Sequence, residues 1–150
     1  MPVDPAVSFE ACHCFAVRAA ARHVTQFYDQ FLALTGLRAT QFTILATLHA
    51  RGPLSINSLA SVIVMDRTTL GRNILPLQRK GLVKIERAAD DRRAKELRLT
   101  KAGEKRLQAA AKGWEQAQAL FEDTFGGKRA AALRAMLRTV ATTELAPNRA

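Results

Sequence analysis

A mostly α-helical fold with a single β-hairpin is what the sequence predicts, on three observations. Apolar residues recur at three- and four-residue intervals through long segments at both ends of the chain. Two short segments near the middle, 82–87 and 95–100, alternate apolar and polar residues instead, which is the period of a half-buried strand. Serine, aspartate and threonine stand where helices would begin, and glycines where they would stop.

The first helix is predicted over 8–34, with Ala16, Ala20, His23, Phe27, Phe31 and Leu34 on one apolar face and Gly36 as its stop. A second runs over 39–51 with Phe42, Leu45 and Leu48 inward, and ends at Gly52-Pro53. Ser55 caps a short helix over 56–62, where Ile56, Leu59 and Ala60 are apolar. Asp66 opens a helix over 66–80 that turns Leu70, Ile74 and Leu77 to one side, and Gly81 closes it. Pro76 lies inside this helix and predicts a kink or a lost hydrogen bond in its second half. The two alternating segments flank the polar turn 88–94 and form a hairpin with a charged tip. Thr100 caps a long helix over 101–124, Gly126-Gly127 breaks it, and 128–145 is a final helix.

Two helices joined by a tight turn and followed by a basic hairpin make a winged helix-turn-helix. The expected organisation is one continuous domain. Its 39–100 region is the winged helix-turn-helix, and 1–38 with 101–150 form a helical region. These flanking helices are too long and too apolar to cap so small a module, and dimerisation is their expected use.

At 150 residues, 48% hydrophobic and 24% charged, the chain has globular composition and enough length to bury a core unaided. No apolar run approaches a bilayer span, and the N-terminus lacks a basic region followed by an apolar one, so neither membrane nor secretion is expected. Cys12 and Cys14 are too few for a disulfide framework, and a reducing cytoplasm is the expected location. The net charge of +10 points to a polyanionic partner. Residues 53–100 hold ten Lys or Arg against five acids, while all nine aromatic residues lie in 9–42 or 114–125. The division assigns polyanion contact to the centre and packing or ligand capture to the ends.

With Leu70, Ile74 and Leu77 inward, the 66–80 helix presents Arg67, Thr68, Gly71, Arg72, Leu75 and Arg79, flanked by Thr69 and Asn73. Arginine can bond guanine bidentately, asparagine can bond adenine, and threonine offers a hydroxyl or a methyl group. Gly71 leaves room for close backbone approach. Ser55, Arg67, Thr68, Thr69, Arg72 and Asn73 are therefore the expected contacts to a near-palindromic duplex. At the hairpin tip Arg92 and Arg93 suit a narrow minor groove. Asp91 is expected to orient a neighbouring guanidinium through a bidentate pair.

Other classes fit less well. An RNA-binding module would show aromatic residues in the basic middle, which has none. There is no P-loop, dinucleotide fingerprint or zinc-protease motif, and an enzyme is not expected; a thiol peroxidase using Cys14 is the one candidate. No cofactor is expected. The Cys12-His13-Cys14 run does not predict a metal site, because on a helix those side chains diverge and no second cluster exists. On the same helix Cys12 and Cys14 stand about 200° apart and do not pair.

Three segments resemble the MarR family of bacterial transcription regulators: Asp66-Arg67-Thr68-Thr69-Leu70-Gly71-Arg72, Lys80-Gly81-Leu82-Val83, and Asp91-Arg92-Arg93 leading to Leu97-Arg98-Leu99-Thr100-Lys101-Ala102-Gly103. The resemblance implies a homodimer in which the terminal helices of both chains intertwine. It implies that Arg93 is a minor-groove arginine, that Asp91 is its structural partner, and that Thr68, Thr69 and Arg72 face bases or phosphates. It further implies repression of neighbouring genes, relieved by a small molecule or an oxidant.

Two sets of residues bear on that signal. Phe27, Tyr28, Phe31, Phe42 and Trp114 are expected to line an apolar pocket between the terminal helices and the winged helix, with Arg18 or Arg22 holding a carboxylate. The effector expected there is a small, aromatic molecule. The alternative is a thiol-based oxidant sensor through Cys14. The stretch from Cys14 to Tyr28 resembles the hydroperoxide-sensing branch of the family, in which a helix-one cysteine meets two tyrosines of the partner chain. Cys14 and Tyr28 lie about 21 Å apart along one helix, so they could meet only across a dimer. Ala39 stands where the second tyrosine would be, which leaves a thiolate less stabilised.

Overall fold

The computed structural model describes residues 1–2 and 6–147. The chain folds as α1 (His13–Leu32), α2 (Ala39–Arg51), α3 (Ile56–Val62), α4 (Arg67–Arg79), β1 (Val83–Arg87), β2 (Lys95–Leu99), α5 (Lys101–Phe125) and α6 (Gly127–Thr142). One-turn 3-10 segments, Phe9–Ala11 and Ala33–Thr35, flank α1. The architecture is a winged helix-turn-helix carried between long terminal helices.

The first helix is not continuous from residue 8. Cys12 has extended backbone (φ −79°, ψ 115°) and stands before α1 as its cap, its Sγ accepting the Phe15 N–H at 3.4 Å. Cys12 and Cys14 therefore do not share a helix, and the expected 200° separation does not describe them. At the other end the helix tightens into the 3-10 turn and stops at Gly36, whose φ of +71° is the left-handed conformation a glycine supplies. That tightening breaks the 100° step between residues. Leu34, expected on the apolar face, is exposed, and Leu32 is buried instead.

The core forms where α2, α3, α4 and the hairpin meet the end of α1 and the first half of α5. Leu32, Leu37, Ile44, Leu45, Leu48, Leu59, Ala60, Leu70, Ile74, Leu77, Leu82, Val83, Leu97, Leu107 and Ala110 are its buried members. Phe42, expected inward, is only half-buried at the edge of this core, and Ile44 occupies the interior beside Leu45. Helix α4 runs unbroken through Pro76. The ring has no N–H to give the Arg72 carbonyl, so one helical bond is absent. The Pro76 carbonyl accepts the Lys80 N–H at 3.1 Å and closes the helix.

Strands β1 and β2 pair antiparallel, with Val83 opposite Leu99, Ile85 opposite Leu97 and Arg87 opposite Lys95. Leu54 adds a third rung to β2 by exchanging backbone hydrogen bonds with Leu97 at 3.1 and 2.7 Å. This rung fixes the start of α3 against the hairpin.

Three polar contacts tie the terminal helices to this unit. Asp29 on α1 accepts the Ala39 N–H at 2.6 Å and so caps α2 from outside. Arg106 on α5 donates to the Thr35 carbonyl at 2.9 Å. Thr100 accepts the Gly103 N–H at 3.0 Å and donates to the Gly81 carbonyl at 2.6 Å, joining the end of α4 to the start of α5. Two glycines permit close packing at the same joints. A Cβ at Gly103 would lie 2.0 Å from the Leu82 carbonyl oxygen, and one at Gly113 would lie 2.4 Å from that of Phe31.

Candidate nucleic-acid interface

Helix α4 owes its N-terminal geometry to Asp66. The carboxylate accepts the Thr69 N–H at 2.9 Å and the Thr69 hydroxyl at 2.6 Å. The Thr69 hydroxyl, and then its backbone N–H, hold the Asp66 carboxyl below its ordinary range. The first turn is thereby fixed while its outer surface stays open.

That surface divides the predicted contacts into two groups. Arg67, Thr68 and Arg72 are exposed, and none of their side chains is hydrogen-bonded within the chain among the described residues. Thr68, Arg72, Leu75 and Arg79 follow one another at four, three and four residues and form a single exposed stripe opposite Leu70, Ile74 and Leu77. The other predicted contacts have structural engagements. Thr69 donates its hydroxyl to Asp66, and Asn73 donates its amide to the Thr69 carbonyl at 2.9 Å. Ser55 caps α3, accepting the Ser58 N–H at 3.1 Å while its hydroxyl donates to the Ser58 hydroxyl at 3.0 Å.

The wing tip is a closed turn. Ala88 donates to the Ala94 carbonyl at 2.9 Å, and Ala94 donates to the Asp91 carbonyl at 3.1 Å. Asp91 differs from expectation. Its carboxylate accepts the backbone N–H of Arg93 at 2.9 Å, and among the described residues no ion pair joins it to Arg92 or Arg93. It shapes the tip through the main chain, because its short side chain reaches the N–H two residues on more readily than a guanidinium. Both guanidinium groups are left exposed.

One participant escaped sequence reasoning. Glu86, on the wing, pairs with Lys84 at 2.6 Å and with Arg98 at 3.0 Å, and these two cations hold its carboxyl below the ordinary range. Lys84 and Arg98 are cross-strand neighbours. An acid two residues along the strand from Lys84 was the available signal, since residues i and i+2 share a face.

The residues expected in one effector pocket are spread over three grooves of the chain, of which the first two adjoin at Val24 and Phe121. Tyr28 lines a groove of about 440 Å³ between α1, α5 and α6, where its hydroxyl donates to Gln118. Burial, and the nearby Glu122 carboxylate, raise the Tyr28 phenol above its ordinary range against a smaller opposing effect of Arg134. Phe27 lines a second groove with Phe121 and Phe125, and Phe31 packs edge-on against Phe27 at 5.2 Å. Phe42 and Trp114 stack at 6.1 Å in a third, between α2 and α5. The walls differ because α2 lines the groove over residues 104–115 of the long α5, while α1 and α6 line those over residues 118–125. Arg18 and Cys14 are exposed and line none of the three. Among the described residues no group of three or more His, Cys, Asp or Glu is placed to hold a metal ion. No single helix among them is long and apolar enough to cross a membrane.

The MarR family profile matches residues 37–95, from the approach to α2 through the wing turn. The solved structure of the M. tuberculosis transcriptional regulator MosR is 35% identical and superposes with a TM-score of 0.75, covering 89% of this chain and 98% of MosR. The chain belongs to the MarR family. MosR has also been solved in complex with DNA, and that structure is 34% identical with a TM-score of 0.71, over 88% of this chain and 99% of the other. Among curated proteins, the HTH-type transcriptional regulator SarZ of Staphylococcus haemolyticus is 27% identical over 90 residues, which span 60% of this chain and 61% of SarZ. CouR from Rhodococcus jostii RHA1, solved bound to p-coumaroyl-CoA, shares the fold at 18% identity, with a TM-score of 0.76 over 93% of this chain and 99% of CouR. As a MarR-family protein the chain belongs among transcriptional regulators, and its α3–α4 pair and hairpin are a winged helix-turn-helix.

Proposed function

We propose that this chain is a homodimeric, sequence-specific DNA-binding transcription regulator, a repressor that a small-molecule effector releases in the cytoplasm. The observation that carries the reading is the arrangement of unengaged polar and cationic side chains. Arg67, Thr68 and Arg72 project from the fixed first turns of α4, and Arg92 and Arg93 project from a closed wing tip. A helix enters a major groove and reads bases with such side chains, and arginine suits the adjacent minor groove. The DNA complex of MosR supports the same partner.

Dimerisation draws support from the terminal helices. Phe15, Val17, Leu120, Met136, Leu137 and Val140 are exposed in the single chain. The grooves beside α6 and around Phe27 are mainly apolar. Oxidant sensing through Cys14 has less support. The thiol is exposed, but the Tyr28 hydroxyl that would meet it is held by Gln118 of its own chain.

Footprinting on the duplex upstream of the protein's own gene tests the reading. The expected result is two protected half-sites related by a two-fold axis and about one helical turn apart. Even protection irrespective of sequence would contradict it.

A further inference from the structure

The turn between α3 and α4 holds a residue out of keeping with its backbone. The Met65 N–H reaches back to the Ala60 carbonyl at 2.9 Å, and the Val64 N–H to that of Ser61 at 3.3 Å. This pair of bonds is the Schellman ending of a helix, and it needs a left-handed residue just past the cap, most often glycine. Here that residue is Val64, at φ +56°. Every other positive φ among the described residues falls on a glycine, at Gly36, Gly52, Gly81 and Gly126. Valine is branched at Cβ, and in the left-handed region its side chain crowds its own backbone, so the conformation is costly.

Packing does not offset that cost. Val64 is 68% exposed, while Ile63 and Met65 on either side are half-buried against the core. Those two side chains and the two main-chain bonds hold the turn, and a glycine at 64 would keep all of them. The place of Val64 in the chain shows what its isopropyl group can meet. It stands two residues ahead of Asp66, the cap of α4, and three ahead of Arg67. A reading helix enters a major groove with its N-terminal residues, and the turn that leads into it arrives there too. Phosphates are met by cations and hydrogen-bond donors, which valine cannot supply. On the base edges of the major groove the apolar group is the thymine methyl.

We propose that Val64 is a specificity-determining residue of this regulator, packing its isopropyl group on a thymine methyl in each half-site; this rests on the DNA-binding function proposed above. Arg67 and Thr68 supply polar contacts from the same end of α4, and Val64 adds an apolar one. The left-handed turn holds the side chain clear of the protein surface, where a base can reach it.

The test removes the methyl from the DNA and the isopropyl from the protein, separately and together. Each thymine of the footprinted half-sites is replaced in turn by deoxyuridine, which keeps base pairing and loses only the methyl. Wild type, Val64→Gly and Val64→Asn are titrated on each duplex by anisotropy. At one position per half-site the replacement should weaken wild-type binding by about fourfold per methyl, the worth of one buried carbon. Both variants should bind the unmodified duplex more weakly and be indifferent to the replacement there. Their urea midpoints should lie at or above that of the wild type, because glycine and asparagine tolerate the left-handed region. A sequence-preferring wild type with no thymine whose methyl effect depends on residue 64 would overturn the role of Val64 and leave the regulator reading standing. Midpoints that fall in both variants would also overturn it, since Val64 would then serve the fold. A wild type that prefers no sequence would overturn both readings.

Discussion

Asp66 takes both available hydrogens of Thr69, the backbone N–H at 2.9 Å and the hydroxyl at 2.6 Å. The threonine that the sequence offers as a groove contact is thus half of the device that starts the reading helix. Its neighbour Thr68 keeps a free hydroxyl on the outer face. Removing the carboxylate in Asp66→Ala frays the first turn and disperses Arg67 and Thr68, so DNA affinity falls along with stability.

The pH dependence of that device has a definite sign. The folded-state carboxyl titrates below its unfolded value, so its contribution is complete above the unfolded carboxylate range, near pH 4. It is lost as pH falls through the lower folded value. Urea titrations of wild type and Asp66→Ala should therefore differ at pH 7 and converge toward pH 2. A difference that grows on acidification would contradict the cap.

The wing separates two ways in which Asp91 could act. It accepts a main-chain N–H, and asparagine has an oxygen in the same place. Asp91→Asn should retain DNA affinity, whereas Asp91→Ala should weaken it by loosening the tip. Equal losses in both variants, measured by anisotropy, would restore a role for the negative charge.

Gly113 and Gly71 should respond oppositely to alanine. A methyl at Gly113 meets the Phe31 carbonyl and must push α1 from α5, an overpacking cost of about 1–3 kcal/mol. A methyl at Gly71 meets nothing within 4 Å and removes a flexible residue from a helix, a gain of up to about 1 kcal/mol. Gly71→Ala should nonetheless bind DNA less tightly, because its open side lies on the surface proposed to meet the DNA. Thermal melts beside binding titrations check both halves.

Thr100→Val removes the cap of α5 and the bond to Gly81 in one change. A loss of about 1–2 kcal/mol is expected in chemical denaturation. Because the bond joins α4 to α5, the melting temperature should fall with no second transition if the two regions unfold together.

Much of this fold was legible in the sequence because its signals are local. The spacing of Leu70, Ile74 and Leu77, the caps at Ser55, Asp66 and Thr100, and the alternation of 82–87 and 95–100 act within a few residues of where they are read. What stayed hidden depends on contacts between distant segments. Asp29 capping α2, Arg106 reaching Thr35 and the close approach at Gly113 leave no periodic trace. The aromatic set illustrates the same limit. Phe27, Tyr28, Phe42 and Trp114 are alike in composition, but α5 sends them into three grooves. At the candidate interface the residue types were readable, while the division between Arg72, left free, and Asn73, bonded to Thr69, needed the helix in place.

The most direct test titrates the upstream duplex by anisotropy at several salt concentrations, with wild type, Arg72→Ala and Arg93→Ala. Affinity should fall steeply and log-linearly with salt, because bound phosphates release counterions. Arg93→Ala and Arg72→Ala should each weaken binding, and a variant that loses a phosphate contact should flatten the salt slope by about one per contact. Wild-type binding that ignores salt, or variants that bind as wild type does, would contradict a DNA-reading surface built from α4 and the wing.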